Sequence, residues 1–375
     1  MFGKRVKLFS LFGFEVRLDA SWLIIAILVT WSLAAGLFPY LYPDLDRQTY
    51  WTMAVVGALG LFLSIIVHEF SHSLVARRFG MTMKGITLFI FGGVAEMGDE
   101  PPSARAEFFM AIAGPLASLA IAAVFYLIYR CGEQVGWAAP INAVIYYIAS
   151  INTLLAVFNL LPAFPLDGGR ILRAILWGVR GDLRWATQIS STVGSAFAFG
   201  LMFVGILQFI GGNLIGGMWL VLIGIFLRNA AQTSFQQLMV RKALEGVPVR
   251  RFMVANPITV SPQLTVQQLV DDYILTYHHR LYPVMEGEKL VGLVSTRQVR
   301  GVPREDWGRR TVREIALPLS PENSIDPSLD AVQALATMTQ TGFSRLLVVE
   351  NGRLAGLLTL KDLLNFFSLK VELSN

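Results

Sequence analysis

The chain runs to 375 residues, of which 54% are apolar and only 15% charged, a composition that argues against an ordinary soluble enzyme and for a membrane protein. A single cysteine, Cys131, excludes an intramolecular disulfide framework and a thiolate-rich metal site. The net charge of +5 comes without a basic stripe interleaved with aromatics. Nucleic-acid binding is therefore set aside, because lysine and arginine gather on the cytoplasmic side of membrane proteins for topological reasons.

Residues 1–20 carry Lys4, Arg5 and Lys7 with Glu15 and Asp19, and lack the apolar core and cleavage site of a secretory signal; they read as a retained cytoplasmic arm. A helix needs about 20 apolar residues to cross roughly 30 Å of hydrocarbon. Stretches 22–38, 51–76, 108–129, 141–161, 191–210 and 214–227 meet or approach that length. The last is short enough to be re-entrant, but charge favours six crossings. With the N-terminus inside, Arg77, Arg78, Lys84, Arg105, Arg170, Arg173, Arg180, Arg184 and Arg228 fall on the inner side, and only Arg47 and Arg130 outside.

Between the second and third spans, residues 85–97 are apolar, β-branched and aromatic, and too short to cross. Two extended arms around a Gly92-Gly93 turn are expected, dipping to a depth where protein or a wet cavity can satisfy the strand backbone. After Leu238 charge and proline become common, and the sequence repeats itself. Val260-Ser-Pro-Gln-Leu264 returns as Ile325-Asp-Pro-Ser-Leu329, and Lys289-Leu-Val-Gly-Leu-Val294 as Arg353-Leu-Ala-Gly-Leu-Leu358. A strand, helix, strand, strand, helix order is readable in both copies, so the tail is a tandem α/β module. The chain thus divides into a membrane domain, 1–237, and a tail, 238–375, with repeats at about 247–303 and 311–370.

The chemistry concentrates in the second span, at His68-Glu69-Phe70-Ser71-His72. Histidines four apart share one helix face, so both imidazoles can reach one Zn²⁺ while the adjacent glutamate stands beside the open coordination position. Ionisable side chains inside a span are costly and mark function.

Catalytic zinc takes three protein ligands, and the other two histidines, His278 and His279, lie in the tail. Cys131 is expected on the outer side, and Glu96, Asp99, Glu100 and Glu107 in or near a hairpin and a solvated polar loop. Asp167 stands apart, in Asn159-Leu-Leu-Pro-Ala-Phe-Pro-Leu-Asp167 at the inner end of the fourth span. Pro162 and Pro165 stop a regular helix there, and Gly168-Gly169 permit backbone conformations that other residues resist. The bland alternative is a helix end at which Asp167 caps the next helix.

Together the His68 to His72 motif and the Asn159 to Gly168 stretch resemble the site-2 protease family of intramembrane metalloproteases, over residues 1 to 230. The branch with a pair of CBS domains matches best. The resemblance implies an α-helical membrane domain of six transmembrane helices with a membrane-associated β-hairpin, and an α/β CBS tandem. It implies that His68, His72 and Asp167 hold one Zn²⁺, that Glu69 is general base and acid, and that Asn159 contacts substrate or steadies the oxyanion. Substrate contact extends to Gly92, Gly93, Pro162 and Pro165. The substrate is then a transmembrane or membrane-associated protein, in a lipid bilayer read as the plasma membrane with N-terminus and tail cytoplasmic.

CBS pairs commonly bind adenosine nucleotides, and Thr359 with Asp362 fits the ribose-holding pattern, whereas Ser295 with Gln298 departs from it. Dimerisation through the tail is the simpler alternative. Two rival readings stand beside the protease: a CBS-gated transporter or channel using the buried His, Glu and Asp as an ion pathway, and a pseudoprotease that binds without cutting. Neither calls for the metal-ligand spacing together with an intact base.

Overall fold

Apolar runs set the architecture of the first 240 residues, because each must hide its backbone polar groups in its own helix. In the computed structural model, which describes residues 5–11, 13–81, 83–90, 92–97 and 100–372, six helical stretches are long and apolar enough to cross a membrane. The first comprises α1 (Trp22–Ser32), a π-helical turn (Leu33–Leu37) and α2 (Phe38–Leu41). The others are α3 (Arg47–Arg78), α4 (Ala104–Val135), α5 (Ala139–Asn159), α7 (Leu183–Ile210) and α8 (Leu214–Leu244). Between α5 and α7 lies a shorter amphipathic helix, α6 (Asp167–Arg180).

Helix starts follow side-chain chemistry. Asp46, Ser103 and Asp182 each accept a backbone N–H three residues on, satisfying donors that the first turn leaves free. Large apolar side chains such as Leu23, Ile27, Leu59, Leu63, Leu127 and Phe203 point outward. Small residues face inward, among them Ala54, Ala58, Ala143 and Ala149. This inversion suits helices whose outer solvent is lipid. The short sixth stretch proves to be the apolar part of a 31-residue helix that runs on past Arg228 to Leu244.

The loop after α3 and the N-terminal arm fold together. Strands β1 (Arg5–Leu11), β2 (Phe14–Asp19), β3 (Met83–Phe89) and β4 (Gly92–Met97) form one sheet in that order, with β2 and β3 parallel and the outer pairs antiparallel. The expected hairpin is thus half of a larger sheet, and the arm is strand rather than a plain tail. The expected glycine turn is also corrected: Gly92 pairs with Phe89 and Gly93 with Leu88, so both glycines open the second strand. Phe14, Val16, Ile86 and Leu88 pack with Phe70 of α3, the Phe14 and Phe70 rings meeting edge-on at 5.5 Å. That contact seats the sheet on the helix that carries the histidines.

The chain separates into two units, Met1–Gln236 and Gln237–Asn375. In the second, β6 (Leu281–Glu286) and β7 (Lys289–Ser295) form a hairpin, to which Val260 adds a parallel bridge at Val284. Strands β5 (Val254–Ala255), β10 (Arg353–Thr359), β9 (Arg345–Glu350) and β8 (Ser324–Ile325) form a separate sheet in that order. Each repeat lends its opening segment to the other. β5, from the first, pairs with β10 of the second, while Val312 and Arg313 donate to Leu264 and Pro262.

Candidate metal centre

His68 and His72 lie on the inward face of α3 and are 3% and 7% exposed. Their rings stand 4.8 Å apart, nearly perpendicular. Both Nε2 atoms point at one oxygen of Asp167: His68 at 3.1 Å and His72 at 3.2 Å from Oδ2. These three side chains are the one group among the described residues whose donor atoms could jointly hold a metal ion.

Asp167 arrives by way of the break after α5. It is the first residue of α6, the cap position is Leu166, and no side-chain cap bond forms there; Asp167 is therefore not a helix cap. A carboxylate in the first turn is still favoured by the helix dipole. The neighbouring glycines are needed for a different reason than backbone freedom. Neither has a positive φ, but a Cβ at Gly168 would collide with the carbonyls of Leu160 and Leu161, and one at Gly169 with the backbone of Phe164. Gly194 of α7 meets the same Phe164 backbone. The break is thus folded tightly against the start of α6, which fixes where Asp167 points.

One stripe of α4 supplies the rest. The Met110 carbonyl accepts from His72 Nδ1 at 2.7 Å, and Ser118 Oγ lies 2.9 Å from His68 Nδ1. Between them, a Cβ on Gly114 would strike the Nε2 atoms of both histidines, that of His68 at 2.5 Å. Sequence reasoning missed Gly114 and Ser118, although positions 107, 111, 114 and 118 recur at helical spacing and are small or polar in an apolar span. Glu107, expected in a solvated loop, is instead fully buried on that stripe.

The donor chemistry suits zinc. Since His72 Nδ1 must carry a proton to donate to a carbonyl, the Nε2 of the neutral ring offers a lone pair. A lone pair and a carboxylate oxygen at 3.2 Å, in a buried site, require a shared proton or a cation between them. Ligands about 2.0–2.1 Å from a tetrahedral ion sit about 3.3 Å apart, close to the separations seen. His68 and His72, held from behind at Nδ1, have the arrangement usual for ligating imidazoles.

Glu69, between the histidines, meets the sheet: a Cβ at Gly93 would lie 2.6 Å from its Cγ and 3.2 Å from Oε1. β4, whose second residue is Gly93, is an edge strand. Asn159 ends α5 and donates its side-chain amide to the Leu155 carbonyl at 3.0 Å, while Pro162 is exposed and Pro165 half-buried. The Glu96 side chain and Asp99 lie outside the described residues. In the tail, Thr359 Oγ1 donates to Asp362 Oδ2 at 2.7 Å, and the Asp362 amide returns a bond to Thr359. The pair caps the final helix, Leu360–Glu372.

Six helices long and apolar enough to cross a membrane, with two imidazoles, a carboxylate and an adjacent glutamate brought together among α3, α4 and α6, define a membrane-embedded metalloenzyme. The pattern of Peptidase family M50 matches residues 56–138 and 132–201, and that of the CBS domain residues 249–304 and 312–369. Rip3 of Mycobacterium tuberculosis is 36% identical over 352 residues, 93% of this chain and 89% of that protein. Zinc metalloprotease MJ0392 of Methanocaldococcus jannaschii is 29% identical over 99% of both chains. The solved site-2 protease from M. jannaschii is 30% identical, over 61% of this chain and 94% of its own, with a TM-score of 0.44. The chain belongs to the site-2 protease family of zinc metalloproteases, in the form that carries tandem CBS domains.

Gly114 gives a test in which propensity and site oppose each other. Gly114→Ala should preserve or raise helicity, since alanine is the better helix former. It should nonetheless lower zinc affinity at least as much as disturbing a ligand's outer shell does, about 10–100-fold, because the added methyl meets the two Nε2 atoms themselves. Zinc content by mass spectrometry, read beside circular dichroism, checks both.

Proposed function

We propose that the chain cuts transmembrane or membrane-associated proteins inside the lipid bilayer, with Zn²⁺ held by His68, His72 and Asp167 and with Glu69 as general base and acid. The observation that carries this reading is the convergence of both Nε2 atoms on Asp167 Oδ2, with each Nδ1 occupied by α4. When bound, zinc would polarise the scissile carbonyl and lower the pKa of a bound water toward about 7.

The chain's own residues do the rest. Glu69 accepts the proton of the attacking water and returns it to the leaving amine. Its position is set by α3 on one side and by the β4 backbone at Gly93 on the other. Asn159 is assigned to substrate or oxyanion contact, and Pro162 and Pro165 to the wall of the break through which the cut segment lies.

A substrate helix has its carbonyls already bonded and covered, so the segment to be cut must unwind first. The edge of β4 offers replacement hydrogen bonds to an extended strand, and a strand paired there runs past Gly93 and hence past Glu69. The positive-inside distribution supports a cytoplasmic N-terminus and tail, and the family resemblance is the ground for assigning the plasma membrane.

In the tail, Thr359 and Asp362 are assigned to the ribose of an adenosine nucleotide. Arg345 pairs with Thr359 in the ladder. Its guanidinium pKa is drawn down by burial and then by the nearby charge of Arg280, a strain that a phosphate chain would relieve. Such a ligand modulates cleavage only by favouring one arrangement of the tail over another.

Glu69→Ala is expected to keep its zinc, lose cleavage by at least about 10²-fold, and show no change in ion flux in reconstituted vesicles. A flux change with cleavage intact would instead favour an ion pathway. Replacing glycine, proline or small polar residues near a substrate's cut with leucine should slow cleavage, measured as fragment released per unit time; an unchanged rate would mean that unwinding is not limiting. Titration of the full chain with ATP, ADP and AMP should give saturable binding that Asp362→Ala weakens, together with a change in cleavage rate. Binding without a change in rate would remove the regulatory role.

A further inference from the structure

Behind the site, where the mechanism assigns no role, α4 and α6 are joined by a buried ion pair. Arg173 Nε donates to Glu107 Oε1 at 2.7 Å, and Arg173 Nη2 reaches the same oxygen. The Glu107 side chain is fully buried and that of Arg173 is 4% exposed. Two further contacts converge there: Arg170 Nε lies 3.9 Å from Glu107 Oε1, and Arg173 Nη2 3.5 Å from Glu100 Oε2. The Arg173 guanidinium also sits 5.2 Å over the ring of Phe164, in the break that leads into Asp167.

Each partner stands on a backbone that bears site residues. Going up α4 from Glu107, the next inward positions are Met110, which holds His72, then Gly114 against both imidazoles, then Ser118 on His68. Going back along α6 from Arg173, one turn reaches Arg170 and a second reaches Asp167. The pair therefore links the helix that orients the two histidines to the helix that delivers the carboxylate. A buried ion pair is a poor source of stability, because desolvating both charges offsets their attraction, and its best-attested use is to fix register.

We propose that Glu107 and Arg173 are positioning residues: they set the axial register of α6 on α4 and so hold the Asp167 carboxylate within reach of His68 and His72. Phe164, clamped under the guanidinium, carries the same constraint into the break. This inference rests on the assignment of His68, His72 and Asp167 as the metal ligands, and its test separates the two.

The measurement is the zinc dissociation constant of the full-length protein in detergent, by competition with a chromophoric chelator, for the native chain, Glu107→Gln, Asp167→Ala and the double variant. Size exclusion and helical circular dichroism confirm folding. Glu107→Gln should weaken zinc about 10–100-fold in the native background, and by less than about two-fold once Asp167 is alanine, because a residue that acts only through Asp167 has nothing left to act on. An equal loss in both backgrounds would make the pair a general support of the fold and overturn the proposal, as would no loss in either. If Asp167→Ala itself binds zinc like the native chain, the ligand assignment fails. Should Glu107→Gln not fold, the volume-conserving pair Glu107→Leu with Arg173→Met removes the buried charges and is read through the same cycle, with the same expected and overturning results.

Discussion

Two imidazole nitrogens converge on one carboxylate oxygen in an apolar interior, and lone pairs crowded at such a point need a proton or a cation among them. His68 and His72 come from one helix and Asp167 from another, so the site is also a tether between α3 and α6. Fixed i, i+4 geometry brings the two imidazoles together at little cost, because any helix would do so. The carboxylate is the demanding partner. The packed break, Gly168, Gly169 and Gly194 are all devices for bringing one short side chain to one place.

α4 contributes no donor atom to that triad, yet it touches both of its imidazoles. Its Met110 carbonyl and Ser118 hydroxyl hold the rings at their outer nitrogens, and its missing side chain at Gly114 leaves room at their inner ones. On the other side of α3, the sheet brings a backbone edge to Glu69 through Gly93. Glu69 is thus placed between the helices and the edge strand β4.

Much of this was legible in the sequence, for identifiable reasons. Six apolar runs, the paired histidines and the Asn159 to Asp167 stretch are local patterns, and local patterns survive without knowledge of the fold. The N-terminal strands were not legible, because Arg5–Leu11 and Phe14–Asp19 pair with each other as a hairpin that is marginal alone, and its support comes from β2 pairing with β3, some 70 residues away. Gly92 and Gly93 look like a turn, whereas the register puts them at the head of β4 and gives Gly93 its contact with Glu69. Glu107 was misplaced because charge beside a polar loop reads as solvated, and only the packing of α6 shows Arg173 waiting for it. Gly114 was silent for a similar reason, since a glycine in an apolar span announces nothing until its neighbour is known.

The exchange of opening segments in the tail makes its two repeats interdependent. Because β5 completes the sheet of the second repeat, and the stretch entering the second repeat is hydrogen-bonded into the first, neither half is a finished object. A single copy would expose an unmatched edge and lose part of its core. A lone repeat would therefore have to borrow the missing segment from a second chain, which makes the pair, and not the repeat, the smallest self-sufficient unit of the tail.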